Sequence, residues 1–340
     1  MPNGELVREL IESQSEAWEQ VLREDLTWPF TGRVLCIGSG SSYHAALTTA
    51  FLARKSGMDV TAMPTQDVIL EGGSALNPFD DVVVISQSGE TTEALLAADM
   101  ARAYGKQVWT VTCRDDAPLL SHAENSLALP YAHDHTVVMI RSFTCMLLAF
   151  ERILARGNSE VMETLEHMVS ESHDFVGAAH TVIGQVMDPL PRRVYILGAG
   201  VRHGIALEGA LKALEMSNEN ASAYGPLEFR HGPWGSLTDQ DLVVVLGETR
   251  YGYYERQVVR DLAERTPHLL VVAQESWAGR ETLPGEKIVL PEGDGLWLGP
   301  LAAVPLQWLA LEWALGLGRN PDVPQNLEPV VNISRIPEQS

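Results

Sequence analysis

The chain is poor in cysteine, in basic residues and in long apolar runs, and each scarcity argues against a class of protein. Its 340 residues include 3 cysteines, an odd number that does not indicate a disulfide framework. Lys and Arg number 24 against 45 Asp and Glu, which argues against nucleic acid or an anionic membrane as partner because both select basic patches. No apolar run is long enough to span a membrane, and the acidic amino terminus is unlike a signal peptide. We therefore expect a cytoplasmic protein with reduced, buried thiols.

What the chain has instead is a repeated alternation of short apolar strands and helices. Residues 5–26 have helical periodicity, and apolar strands follow at 34–37, 82–85 and 108–112 with helices between them, the first predicted from His44 to Lys55. A further short strand is predicted at 127–130. Strands that are apolar throughout, each followed by a helix, predict a parallel sheet covered on both faces. The predicted fold class is therefore α/β.

This alternation occurs twice. The stretch Val34-Leu-Cys-Ile-Gly-Ser-Gly matches Val194-Tyr-Ile-Leu-Gly-Ala-Gly, and Asp81-Val-Val-Val-Ile matches Asp241-Leu-Val-Val-Val at the same spacing. We interpret the pattern as a tandem duplication of one α/β unit, far longer than a solenoid repeat. The predicted organisation is a leading helix (1–27), a first domain that binds phosphate (28–155), linking helices (156–188), a second, catalytic domain (189–318) and a tail (319–340).

A polar turn, Ser86-Gln-Ser-Gly-Glu-Thr91, separates one apolar strand from an Ala- and Leu-rich helix. Free backbone N–H groups and the positive end of the helix dipole meet at such a turn. The side chains there, with a glycine that allows close approach, predict an oxyanion site suited to phosphate, formed by Ser86, Gln87, Ser88 and Thr91. A hydroxyl N-cap without a ligand is the alternative, but it needs only one such side chain. We call residues 86–91 the anion cradle; the second copy has Leu246-Gly-Glu-Thr249 instead.

An earlier turn, Gly38-Ser-Gly-Ser-Ser-Tyr43, invites a dinucleotide interpretation. The third glycine of the GxGxxG fingerprint is replaced by Tyr43, however, and no acidic residue ends the second strand. The hydroxyls of Ser41, Ser42 and Tyr43 suit a sugar or its phosphate instead, and we expect no organic cofactor.

The sequence His133-Asp-His135 places two imidazoles close together and could indicate a metal. No further ligand pair occurs at a recognisable spacing, so a polar loop is the better interpretation and no metal is expected.

The second copy carries candidate acid–base residues. Glu208, Lys212 and Glu215 are spaced by four and three, which stacks them on one helix face. A solvated, salt-bridged stripe is the alternative, but the rest of this helix is apolar or small. The Gly- and Pro-rich loop 225–233 holds His231. A partly buried Glu and a loop His suit general acid–base chemistry.

Together these motifs resemble the sugar isomerase (SIS) family. The resemblance rests on residues 40–43, the anion cradle, the helix 206–215 and the loop 228–233, and it covers about residues 30–330. It is strongest to the isomerase half of glucosamine-6-phosphate synthase, to tagatose-6-phosphate ketose/aldose isomerases and to amino-sugar-phosphate deaminases. The implied fold is two tandem SIS domains, each a parallel sheet between helices with flavodoxin-like topology.

The resemblance also implies roles for residues. Ser42 and the cradle hold the sugar 6-phosphate, and Glu215 moves a proton between C1 and C2 with Lys212 beside it. His231 assists ring opening from the neighbouring subunit of an obligate homodimer. The expected substrate-binding set is completed by Gly40, Ser41, Glu208, Arg141 and Ser142. For Arg141, a structural ion pair is the alternative to a contact with the substrate.

The chain departs from the synthase in two places. It begins Met1-Pro2 without the glutaminase domain, and Asn326-Leu-Glu-Pro329 stands where the family has Asn-Leu-Ala-Lys. Both differences favour an isomerase or deaminase of a hexose or aminohexose 6-phosphate over glutamine-dependent amination. A fructosamine-6-phosphate deglycase and a non-catalytic sugar-phosphate sensor are the alternatives. A sensor usually carries a DNA-binding module, for which the residues before the first strand are too few.

Overall fold

The structure, a computed structural model, describes residues 2–27, 32–279, 281–328, 330 and 333. Its leading segment and first half contain α1 (Glu5–Glu12), α2 (Gln14–Arg23), β1 (Val34–Gly38), α3 (Ser41–Lys55), β2 (Val60–Pro64), α4 (Thr65–Glu71), α5 (Gly73–Leu76), β3 (Asp81–Ile85), α6 (Thr92–Ala103), β4 (Gln107–Thr112) and β5 (Asn125–Ala128). Next come α7 (Arg141–Leu154) and α8 (Ser159–Val186). The second half contains β6 (Arg193–Gly198), α9 (Val201–Ser217), β7 (Ala221–Tyr224), β8 (Asp241–Leu246), α10 (Gly252–Ala263), β9 (Leu269–Gln274), α11 (Glu275–Ala278), β10 (Glu286–Leu290) and α12 (Gly299–Gly316).

Both sheets are parallel and have the same strand order. The first runs β2-β1-β3-β4-β5 and the second β7-β6-β8-β9-β10. This is the flavodoxin-like order, which reverses direction between β1 and β3 in the first sheet and between β6 and β8 in the second. Ligands of such sheets bind outside the carboxyl ends of the strands at this switch point. The predicted α/β fold, with two parallel sheets flanked by helices, is confirmed.

The duplication is visible in the backbone of the two halves. The helix after the first strand begins at Ser41 in one half and at Val201 in the other, 160 residues apart. The strand before it ends in a glycine in both halves. A Cβ on Gly38 would lie 2.5 Å from the carbonyl carbon of Ser42, and one on Gly198 would lie 2.4 Å from the carbonyl oxygen of Arg202. Only glycine allows the strand and the helix to approach this closely.

The leading helix differs from its prediction, because it is two helices that meet at Ser13. The Ser13 hydroxyl donates back to the Leu10 carbonyl at 3.5 Å, and the Gln14 amide donates to the Ile11 carbonyl at 3.0 Å. Side chains that bond to nearby carbonyls compete with the helical hydrogen bonds and favour a break.

Two further boundaries differ. Helix α3 begins at Ser41, three residues before the predicted start at His44. Strand β5 covers 125–128, not 127–130, because Pro130 has no N–H for the strand ladder and begins a short 3₁₀ helix instead.

The described residues divide into two compact units. The first unit lies within 29–133 and 328–340 and contains the first sheet, and the second lies within 1–28 and 134–327 and contains the second sheet. All three cysteines are buried free thiols, as expected, and burial raises the pKa of Cys36 to about 12. Within the described ranges, no helix has both the length and the apolar character needed to cross a bilayer.

Helix α12 forms the centre of the second unit. Its residues are almost all apolar, and all of them through Ala314 except Glu312 are buried, as expected of a helix that is hydrophobic on nearly every side. It packs closely on α9, since a Cβ on Gly209 would lie 2.4 Å from a methyl carbon of Leu306. This contact fixes the position of α9, which carries the predicted acid–base residues.

Candidate active site

The first unit brings the two predicted phosphate-binding turns to one place. Strands β1 and β3 pair directly, so the turns that follow them both lie at the switch point of the first sheet. The Ser39 hydroxyl donates to Glu93 Oε2 at 3.0 Å, which connects the two turns. Ser41 and Ser42, each 4% exposed, begin helix α3 here. The structure therefore places Gly40, Ser41 and Ser42 beside the anion cradle.

Hydrogen bonds within the cradle fix its shape. Ser86 Oγ accepts from the Gly89 N–H at 3.1 Å and lies 3.4 Å from Thr91 Oγ1. Ser88 Oγ accepts from the Glu90 N–H at 3.2 Å. The N–H of Ser88 itself has no acceptor within the part of the chain that the structure describes. A turn built in this way offers N–H groups and hydroxyls to an anion, as a phosphate site requires.

The glycine of the cradle cannot be replaced without strain. Gly89 has φ +62°, and a Cβ there would lie 2.6 Å from the Cβ of Ala117. Its carbonyl accepts from the Leu119 N–H at 3.1 Å, which fastens the turn to the segment after β4.

Arg114 hydrogen-bonds to Glu90 of the cradle, but its charge is already paired with carboxylates. Arg114 donates to Glu90 Oε1 at 2.6 Å and to Asp116 Oδ1 at 2.8 Å. These bonds, first that of Asp116, raise the pKa of Arg114. Arg114 is therefore already paired, and what the cradle itself offers to an anion is N–H groups and hydroxyls.

The three predicted residues of α9 form one buried charge group. Lys212 Nζ lies 3.4 Å from Glu208 Oε1 and donates a short hydrogen bond to Glu215 Oε2. The side chains of Lys212 and Glu208 are 1% and 3% exposed, whereas that of Glu215 is 18% exposed. Burial opposes the charge of the lysine, but the two carboxylates outweigh it, and the pKa of Lys212 is raised. The alternative of a solvated stripe does not fit this burial.

Arg141 and Ser142 lie at the amino end of α7, around Asp134. The Asp134 carboxylate accepts from the N–H groups of Ile140 (2.9 Å), Arg141 (3.1 Å) and Ser142 (3.1 Å), and from the Ser142 hydroxyl. Ser142 is fully buried, and the Arg141 guanidinium donates to Ser13 Oγ at 3.1 Å. In these contacts both residues serve the packing of α7. Sequence reasoning missed this contact, because Asp134 stands seven residues before Arg141 and not directly before the helix, where a capping aspartate is expected.

His231 ends a 3₁₀ turn (Glu228–Arg230) in the loop after β7 and is exposed on its own chain. The neighbouring Arg230 pairs with Asp261, and its guanidinium lies 5.9 Å from the Trp234 ring centre. These contacts of Arg230 hold the loop in place, and the His231 imidazole is exposed to solvent. Pro329, the other family position singled out in the sequence, lies outside the described residues.

The switch point of the second sheet carries a buried charge group that sequence analysis did not identify. Arg202 donates to the Gly295 carbonyl at 2.7 Å, and Glu255 Oε2 accepts from the Glu248 N–H at 2.9 Å and from Trp277 Nε1 at 2.8 Å. Its four charged members, none more than 2% exposed, are Arg202, Glu248, Glu255 and Glu151. Burial raises the pKa of Glu255 to about 7 and that of Glu151 well above its usual range.

The internal repeat could have identified this buried charge group from the sequence. Arg202 and Glu248 stand 160 residues after Ser42 and Ser88, so they replace two residues of the predicted phosphate site. The backbone around them is alike, since Glu248 Oε1 accepts from the N–H two residues on at 3.3 Å, as Ser88 Oγ does at 3.2 Å. The second copy has thus filled its switch point with its own side chains.

Comparison with known proteins identifies relatives over most of this chain. A D-galactosamine-6-phosphate deaminase AgaS of Escherichia coli is 28% identical over 317 residues, which are 86% of this chain and 81% of that protein. The AgaS protein of Streptomyces coelicolor is 30% identical over 316 residues, 86% of this chain and 80% of that protein.

Solved structures show the same fold. The glucosamine-6-phosphate deaminase of Thermotoga maritima superposes with a TM-score of 0.85 at 24% identity, over 96% of this chain and 100% of that one. The tagatose-6-phosphate ketose/aldose isomerase of Escherichia coli gives a TM-score of 0.80 at 22% identity, over 99% and 98%. The SIS domain model matches residues 31–156 and 191–313, one match for each sheet. The chain therefore belongs to the SIS domain family.

Proposed function

We propose that this chain is a phosphosugar isomerase or deaminase that acts on a hexose or aminohexose 6-phosphate. The observation that carries the proposal is the α9 charge group, in which a sealed lysine holds a glutamate that solvent can still reach. A carboxylate so held is fixed in position beside a cation, which suits a general base. A purely structural ion pair would have no need of the access that Glu215 retains.

The anion cradle supplies the binding half of the proposal. Its hydroxyls, the Gln87 amide and the Ser88 N–H suit the 6-phosphate, with Ser41 and Ser42 contributing from the adjacent turn. The net charge of −21 would repel a sugar phosphate at long range, so a local site of this kind is needed.

Glu215 would perform the chemistry as a proton shuttle. In the open-chain sugar it removes the C2 proton, giving an enediol or, with a C2 amine, an enolamine, and returns the proton to C1. Between the two transfers the glutamate carries the proton, and Lys212, bonded to Glu215 Oε2, holds the carboxyl group in place. With an aminosugar the product is an imine at C2, which water hydrolyses to the ketone and ammonia. His231 is assigned to opening the ring.

Among these reactions we favour deamination of an aminohexose 6-phosphate. The AgaS relatives match over four fifths of their own length, and E. coli AgaS is named as a galactosamine-6-phosphate deaminase. Isomerisation requires only the first two proton transfers and remains open to the same residues. A deglycase and a sensor are separated from both by the experiments below.

The proposal is tested with Glu215→Gln. The substitution keeps size and hydrogen bonding but removes the base, so turnover should fall by about 10²–10⁴-fold while sugar-phosphate binding is retained. Glucosamine, galactosamine, tagatose and fructosamine 6-phosphates are assayed for ammonia release, for ketose–aldose exchange and for solvent deuterium at C1 or C2. A sensor would bind one of them without turnover in either form. Absence of deuterium from every product would remove the support for a proton shuttle.

We also propose that the active form is a cytoplasmic homodimer in which His231 serves the partner's site. The exposure of His231 on its own chain supports the shared site, and the three free thiols support the cytoplasmic location. Mixing inactive Glu215→Gln and His231→Ala chains should restore activity, because a hybrid dimer then has one complete site. No recovery after subunit exchange would show that each chain uses its own histidine.

A further inference from the structure

A residue outside the predicted site, His133, is bonded directly to the anion cradle. Gln87 Nε2 lies 2.8 Å from His133 Nδ1, across 46 residues of sequence. His133 follows the 3₁₀ helix 130–132 and is half-buried, so the loop holds its ring in place. The contact lies wholly within the first unit.

The chemistry of this contact fixes the direction of the bond. An amide nitrogen carries hydrogens and has no lone pair to offer, so Gln87 must donate and His133 Nδ1 must accept. The ring proton of the neutral imidazole is therefore on Nε2. This bond takes one of the two N–H groups of the amide, and the other N–H and the carbonyl oxygen are oriented by it.

The backbone of Gln87 is fixed separately. Its carbonyl accepts from the Cys113 N–H at 2.9 Å and from Thr112 Oγ1 at 3.1 Å. Those bonds hold the main chain but leave the side-chain torsions of a long, flexible residue to be set. The histidine is the contact that sets them.

We propose that His133 is a positioning residue of the anion site, which orients the Gln87 amide toward the bound phosphate. The role rests on the proposed function, since the anion is taken to be the 6-phosphate of the sugar. Nothing in the motif 86–91 itself specifies this partner. His133 and His135, which first suggested a metal, do not act as a pair: His133 contacts Gln87, and Asp134 between them accepts from the N–H groups at the start of α7.

The surroundings of the imidazole agree with an orienting role. Asp116 lies near the ring: its pKa is lowered first by its hydrogen bond with Arg114 and, more weakly, by His133. Arg114 bridges that aspartate to Glu90 of the cradle. The Asp116 carboxylate near His133 is therefore already paired with the Arg114 guanidinium.

The test measures the dissociation constant of inorganic phosphate for the full chain, by ³¹P NMR titration, and KM and kcat for the substrate that is turned over. His133→Ala should weaken phosphate binding by about 2- to 10-fold, the effect of one hydrogen bond, and should raise KM more than it lowers kcat. His133→Asn should restore affinity, since Asn Oδ1 occupies the place of His Nδ1. His135→Ala, two residues away and exposed, is the matched control and should bind as the wild type does.

A double-mutant cycle identifies the route of the effect. In a Gln87→Ala background, His133→Ala should change phosphate affinity no further, because the group that it orients is gone. The full effect in that background would overturn the positioning role, as would equal affinity of the wild type and His133→Ala. If His133→Ala does not fold, His133→Phe keeps a ring without an acceptor and serves in its place. A wild-type chain that binds no phosphate would refute the cradle itself, and with it the proposed function.

Discussion

The substitution Glu255→Gln should make the protein more stable at alkaline pH. Glu255 is 2% exposed, and its carboxyl group accepts from the Glu248 N–H and from the Trp277 indole. Burial raises its pKa from 4.5 to about 7, and the charge of Glu248 adds to the rise while the two N–H donors and Arg202 oppose it. A glutamine fills the same space and accepts the same bonds but has no charge to bury.

The size of the effect follows from the pKa difference. The folded chain holds the Glu255 proton more tightly than the unfolded chain, so the contribution of this group to stability is fully present below pH 4.5 and is lost as the pH rises through 7. A difference of about 2.5 pKa units corresponds to about 3 kcal/mol. Roughly 2 kcal/mol of this loss falls between pH 5.5 and 8.5, the range above the pI in which the protein can be handled.

The assay is urea unfolding of both proteins at several pH values across that range. The free energy of unfolding of Glu255→Gln, relative to the wild type, should increase by about 2 kcal/mol from pH 5.5 to 8.5. Glu264→Gln, at the residue just after the same helix and with a side chain 80% exposed, is the control and should give a flat difference. A flat difference for Glu255→Gln as well would show that this carboxyl group titrates normally, and the description of the second switch point as a buried charge group would be wrong.

Three other substitutions test packing around the candidate site. Gly89→Ala should destabilise the protein by about 2–4 kcal/mol and abolish phosphate binding, because strain at positive φ is joined by a steric clash. Gly105→Ala, at φ +71° with open space around it, is the control and should cost only about 1–2 kcal/mol and leave binding intact. Urea unfolding and phosphate titration measure the two effects. Gly209→Ala should lower the melting temperature, because the added methyl group clashes with α12. Gly184→Ala in α8, where nothing lies within 4 Å, is the control and should raise the melting temperature slightly. The reverse order in a thermal melt would contradict the packing of α9 on α12. Lys212→Met should lose about 3–5 kcal/mol of stability together with turnover, since it leaves the carboxylate of Glu208 buried without its cation; unchanged unfolding would mean that the charge group is solvated.

Much of the architecture could be predicted because its signals are local in the sequence. The apolar runs at 34–37 and 82–85 mark strands, and their recurrence 160 residues later marks the duplication. The cradle is recognisable for the same reason, since its donors and its glycine lie within six consecutive residues between a strand and a helix. The spacing of Glu208, Lys212 and Glu215 likewise places them on one helix face without knowledge of any neighbour.

Other features depend on contacts that sequence spacing does not reveal. Ser142, expected to meet the substrate, gives its hydroxyl to Asp134, because the loop before α7 folds back on the helix end. The break at Ser13 arises from competition between side-chain and backbone hydrogen bonds, which periodicity does not record.

The chain by itself determined two α/β copies, an anion cradle in the first and a row of charged residues in the second. Only the tertiary structure decided that Lys212 is sealed while Glu215 stays accessible, that His133 is the partner of Gln87, and that Arg202 and three glutamates fill the second switch point. Local order follows from backbone geometry repeating every two or 3.6 residues. The burial and the partner of a polar group depend on which distant elements pack against it, and that is settled only when the chain folds.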